Sequence, residues 1–135
     1  MPGETVRDGS VLDERGSAVV EFTLVGLLLT VLALAVIQLG LALHVRNTVQ
    51  DAAAEGARFA ALADNAPGDG VLRARQLITE AIGPDYATDV VVGTGQWMGH
   101  PAVTVTVRTT LPVIGLLGVG GGLEVSGHAA IETLD

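Results

Sequence analysis

The sequence predicts an α+β protein: a long N-terminal transmembrane helix continuing into a small outer domain with a short second helix and a small antiparallel β-sheet. Three observations carry this. Residues 22–45 form an unbroken run without a formal charge, apolar positions return at helical spacing over residues 71–82, and beyond Pro84 the period changes to two.

The 135 residues leave room for one modest domain once the apolar run is set aside. Charged residues make up only 16% of the chain and mean hydropathy is +0.52, which points to a membrane class because the excess is concentrated in one stretch. All seven basic side chains are arginine and the net charge is −8, so a basic surface for phosphate neutralisation is missing and nucleic acid is not expected as a partner. Cysteine is absent, which removes disulfides, thiolate metal sites and thiol nucleophiles.

The first element is the span. Residues 22–45 read FTLVGLLLTVLALAVIQLGLALHV, with Thr23, Thr30, Gln38 and His44 as the distinctly polar members. A helix of that length rises about 36 Å against a hydrocarbon core of about 30 Å, enough to cross with modest tilt. A buried core helix fits less well, since the remaining chain is too short to surround it. A cleaved secretory signal also fits less well: the run exceeds the usual apolar region, and Glu4, Asp8, Asp13 and Glu14 accompany Arg7 and Arg15 ahead of it. Arg7 and Arg15 on one side balance Arg46 and Arg58 on the other, so charge alone leaves orientation open.

Just before the span the chain reads Arg15-Gly16-Ser17-Ala18-Val19-Val20-Glu21-Phe22. The apolar helix starts ahead of Glu21, and a carboxylate embedded in this way wants a cation, although interfacial charges are also common markers of where a span begins. This junction resembles the processing site of type IV prepilins, and especially of the TadE-like family, in which a prepilin peptidase cuts after the glycine. An EGAR-type segment at residues 55–58, within NTVQDAAAEGARFAA at 47–61, and the closing GHAAIE at 127–132 are similar to the same family.

The resemblance implies several things that the residues alone do not. The cut would fall between Gly16 and Ser17, and Glu21 would become the fifth residue of the matured chain, with Phe22 beside it at the start of the assembly helix. The new amine of Ser17 is the cation that a neighbouring subunit's Glu21 could pair with. Residues 1–16 would be a cytoplasmic leader, 17–45 the transmembrane helix, and 46–135 an extracytoplasmic pilin-like α+β domain. Implied partners are a prepilin peptidase, other pilins or pseudopilins, inner-membrane pilus platform proteins and the membrane itself. The implied location is the bacterial cytoplasmic membrane, single-pass with the C-terminal domain outside; whether the chain enters a surface filament is left open.

Nothing interrupts residues 17–63, so one continuous helix is expected there. Ala52, Gly56 and Ala60 recur every four residues, a row of small side chains that lets another helix or a sheet approach closely, within the chain or from another subunit. Residues 64–70, DNAPGDG, read as a turn, and Val71, Ala74, Leu77, Ile78 and Ala81 give the second helix its apolar face until Gly83-Pro84 stops it. Residues 102–108, AVTVTVR, alternate as a half-buried strand with Val103, Val105 and Val107 inward. Val90 to Val92 begin a partner strand across a turn region at 93–101, and residues 123–129 alternate as a third. The glycine-rich apolar stretch at 111–123 offers surface for the helix, lipid headgroups or another subunit.

No catalytic constellation is expected. His44, His100 and His128 are scattered without metal-ligand spacing, so no metal site and no cofactor are assigned. The glycine runs at 93–95 and 118–122 lack the lysine of a phosphate-binding loop and read as turns. Trp97 and Met98 sit in the first of these, where an aromatic serves either binding or partial core. The chain is thus expected to be a non-enzymatic, pseudopilin-like assembly subunit of a tight-adherence pilus or related secretion apparatus. The alternative is an unprocessed bitopic anchor that presents a small extracytoplasmic binding domain.

Overall fold

The computed structural model describes residues 8–112 and 122–133, with side chains from Val11 onward. The element order is α1 (Asp8–Ala61), α2 (Pro67–Ile82), a 3-10 turn (Pro84–Ala87), β1 (Asp89–Trp97), β2 (His100–Thr110) and β3 (Gly122–Ala130). The fold is α+β, with the three strands forming one antiparallel sheet in the order β1-β2-β3. Compactness divides the chain between Ile37 and Gln38, and each unit is described by itself.

The first unit, as far as it is described, is helix. From Val11 to Ile37 every side chain is exposed, including Leu24, Leu28, Leu32 and Phe22. Within α1 lies the one helix among the described residues that is long and apolar enough to cross a membrane, and none of its most apolar stretch is buried. Two hydroxyls in this stretch bond back along the helix, Thr23 Oγ1 to the Val19 carbonyl and Thr30 Oγ1 to the Gly26 carbonyl, each at 2.8 Å. An apolar helix that satisfies its own main chain and its own hydroxyls is what hydrocarbon requires. Helical structure starts at Asp8, ahead of the expected start at Ser17, because nothing between Asp8 and Gly16 breaks a helix.

The second unit builds its core from small side chains. Val45, Val49, Ala53 and Ala57 of α1, Ala74 and Ile78 of α2, and Val90, Val105, Val107 and Val125 of the sheet form one buried cluster. Val45, the last residue of the uncharged run, is 2% exposed and belongs to this core. Val103, Val105 and Val107 point inward as their alternation requires. Alanine and glycine let the backbones approach closely. A Cβ on Gly127 of β3 would stand 2.4 Å from the Ala53 carbonyl carbon and 2.4 Å from the Ala54 nitrogen, so α1 lies directly on β3 there.

In the second unit the start of α2 and the β1–β2 hairpin also differ from the sequence expectation. Residues 67–70, read as turn, are the first turn of α2: Pro67 occupies the start of the helix, where its missing N–H costs nothing, and Asp69 accepts the Ala66 N–H at 2.8 Å. The glycine run at 93–95, also read as turn, is strand, with Gly93 opposite Thr104 and Gly95 opposite Ala102. The hairpin turns over Met98-Gly99 alone, at φ of 51° and 83°, the double positive φ that a two-residue turn between twisted strands demands. α2 ends as expected: Gly83, at φ 110°, donates its N–H to the Ile78 and Thr79 carbonyls, and Pro84 cannot continue the helix. Most of the 111–123 stretch, including the glycine run at 118–122 apart from its last residue, and residues 1–7 fall outside the described residues.

Candidate functional site

Gly16, Ser17, Glu21 and Phe22 all lie on α1, and all are exposed; Phe22 is 81% exposed. Ser17 and Glu21 are four residues apart and so share a helix face. Among the described residues Glu21 has no ion-pair partner, the ion pairs being Arg58–Glu55 at 3.7 Å and Arg108–Glu124 at 2.7 Å. Gly16 sits inside the helix with nothing within 4 Å of where a Cβ would be. Glycine there is an intrinsic weak point, costing about 1 kcal/mol relative to alanine in a helix interior.

The small-residue row lies apart from that group, in the second unit. Ala52, Gly56 and Ala60 are all buried. Gly56 meets α2 at Gly70: a Cβ on Gly56 would lie 2.6 Å from the Gly70 carbonyl oxygen and 2.9 Å from the Ala74 Cβ. One on Gly70 would lie 2.6 Å from the Ala60 Cβ. Close helix crossings need small residues on both partners. Gly70 and Gly127 are the contact residues that sequence reasoning missed. Gly70 was hidden in a segment dense in turn formers, and Gly127 in an alternating strand where no pattern marks a close approach.

Beside this crossing, α1 and α2 leave an open groove of about 430 Å³ lined by Thr48, Asp51, Ala54, Glu55, Leu77 and Ala81. No group of three or more His, Asp or Glu able to hold a metal occurs among the described residues. His44 is exposed on α1, whereas His100 opens β2 and His128 lies in β3, its ring stacked on Trp97 at 5.5 Å with planes 14° apart. The Glu124 carboxylate accepts from Arg108 Nε across β2 and β3 and raises the guanidinium above its ordinary pKa. Both side chains are about half exposed, so this is a surface cross-strand pair.

No curated protein and no solved structure matches the chain. One family model does: the one described as TadE-like protein, over residues 16–58. That family is structural and associated with the Tad pilus, and the match suggests a pilus-associated, pseudopilin-type protein. A long apolar N-terminal helix together with such a match fits a membrane-anchored protein. The stretch similar to that family opens on Gly16, carries Glu21 and the exposed apolar helix, and closes at Arg58 of α1.

Proposed function

We propose that the chain is a pseudopilin-like assembly subunit of a tight-adherence pilus or related secretion apparatus, matured by a prepilin peptidase between Gly16 and Ser17. The observation that carries this reading is Glu21. It is an exposed carboxylate without an ion-pair partner among the described residues, set in an apolar helix five positions after the glycine at which the family match begins. A carboxylate in hydrocarbon is costly alone and tolerable beside a cation, so the freed amine of Ser17 in a neighbouring subunit is its natural mate. In this account residues 1–16 are a cytoplasmic leader, the exposed apolar helix from Ser17 crosses the membrane, and the α+β domain whose core includes Val45 stands outside. The partners are the peptidase, other pilins and an inner-membrane platform.

Substitution Glu21→Gln tests it. Removing one partner of a buried pair costs about 3–5 kcal/mol, so recovery of the chain in assembled complexes should fall at least tenfold while its level in the membrane is unchanged. Unchanged assembly would leave Glu21 as an interfacial marker and sink the proposal. One observation favours the unprocessed bitopic anchor instead: α1 runs unbroken from Asp8 through Gly16 and Ser17, so a peptidase must first unwind this part of the helix.

A further inference from the structure

We propose that the end of the second unit at which α1 enters rests on the membrane, with Thr110, Leu111, Pro112 and the Pro84–Ala87 turn in the lipid headgroup layer. This rests on the reading of α1 as a spanning helix and goes beyond it, since a spanning helix can also hold its domain clear of the surface on a stalk. From Val11 to Ile37 every side chain of α1 is exposed, whereas Gln38 and Ala42 are half-buried and Val45 and Val49 are buried. The second unit therefore covers α1 from Gln38 onward. About 20 helical residues cross the hydrocarbon. Counted from Ser17, where the leader is proposed to end, they reach Val36; counted from Phe22, after the Glu21 carboxylate, they reach Leu41. Either count uses up the bare helix and leaves no length for a stalk, and tilt only draws the unit closer.

Contacts within the second unit show which groups lie at that end. Along α1 beyond Val45, Gln50 Nε2 donates to the Ser126 carbonyl, Ala53 and Ala54 lie on Gly127, and the Ala61 carbonyl accepts the Glu132 N–H. β3 thus runs beside α1 in the same direction, and its first residue, Gly122, opposite Thr110 of β2, stands at the Val45 end. α2 runs the other way, from Gly70 against Gly56 to Leu77 and Ala81 across the groove from Thr48 and Asp51. The Pro84–Ala87 turn that follows α2 therefore comes down at the Val45 end as well. The hairpin turn at Met98-Gly99 lies at the opposite end, because β1 starts with Asp89 opposite Arg108 and finishes with Trp97 opposite His100.

Lipid is the occupant that fits this end. Residues 111–121 read LPVIGLLGVGG, without a charged or polar side chain, and the chain departs and returns there at Thr110 and Gly122, which stand opposite each other. Main chain outside regular structure finds hydrogen-bond partners among headgroups and water, which hydrocarbon denies it. Arg46 and Arg108 at this end are offset by Asp85, Asp89 and Glu124, and Arg108 is already bonded to Glu124 at 2.7 Å. The contact is therefore apolar and does not require anionic lipid. A protein partner would have to enter between the unit and the bilayer, where the bare helix leaves no gap for one.

Single-cysteine variants of the full-length chain, which has no cysteine of its own, test this in phosphatidylcholine vesicles. Nitroxide labels on Thr110→Cys, Asp85→Cys, Met98→Cys and Leu28→Cys, all at exposed positions, are probed with oxygen, which concentrates in lipid, and with a water-soluble nickel chelate. At positions 110 and 85 nickel accessibility should be at least about threefold below that at 98, with oxygen accessibility undiminished, because the headgroup layer lies between water and hydrocarbon. Two positions on separate elements guard against a local disturbance by either substitution. Labels at 110 and 85 as open to nickel as the one at 98, with the label at 28 in lipid, would leave the spanning helix standing and overturn the resting unit. Loss of both oxygen and nickel accessibility would put protein at this end in place of lipid and overturn it too. A label at 28 open to nickel would remove the spanning helix and this proposal with it.

Discussion

At the scale of single residues the chain uses its glycines unequally, and the difference is measurable. Gly127 bears the backbone of α1, since a Cβ there would fall within 2.4 Å of Ala53 and Ala54 main-chain atoms that cannot step aside. Gly127→Ala should therefore destabilise the protein by about 1–3 kcal/mol, as overpacking does, and lower the midpoint of thermal unfolding by several degrees. Gly95→Ala, with open space around it, should change that midpoint little; equal effects of the two substitutions would refute the packing account. Gly16 and Glu21 draw notice in the sequence because a glycine and a carboxylate stand out against an apolar run, and their roles belong to the proposal. Gly127 does not, because its role depends on which residue of another element lies across from it.

At the scale of elements the periodic segments were legible and their edges were not. The alternation of residues 102–108 led to β2, and Val103, Val105 and Val107 are inward as that pattern requires. The start of α2 was misplaced because Pro67, Gly68 and Gly70 are turn formers in most settings, whereas here proline and Asp69 open a helix. The hairpin was misplaced because its turn is Met98-Gly99, without the Asn-Gly or Asp-Gly signal, so the glycines of the strand attracted the turn instead. α2 starts from Ala66, which has no side-chain oxygen to accept the free N–H groups of the first turn. Ala66→Ser should supply one and raise stability by about 0.5–2 kcal/mol, read in chemical denaturation as a higher midpoint at unchanged slope. A lower midpoint would contradict the assigned helix start.

At the scale of the whole molecule the chain combines an exposed apolar helix, a compact second unit and a stretch at residues 16–58 that matches the TadE-like family. Leucines left exposed through the run are unfavourable in water at about 25 cal/mol per Å², and a bilayer removes that cost. The chain should accordingly stay in the membrane fraction after an alkaline carbonate wash, and release into the supernatant would count against a spanning helix. The long apolar helix was legible from sequence because hydropathy over one segment needs no tertiary context. The helix crossing at Gly56 and Gly70 was only half legible, since the row on α1 announced itself and its mate on α2 did not.

The most direct test of the central claim is the intact mass of the protein recovered from its native membrane, with N-terminal sequencing of the same band, in cells that have an active prepilin peptidase. The account predicts a chain that begins at Ser17. A chain that keeps residues 1–16 would contradict maturation and make the unprocessed membrane anchor the working description.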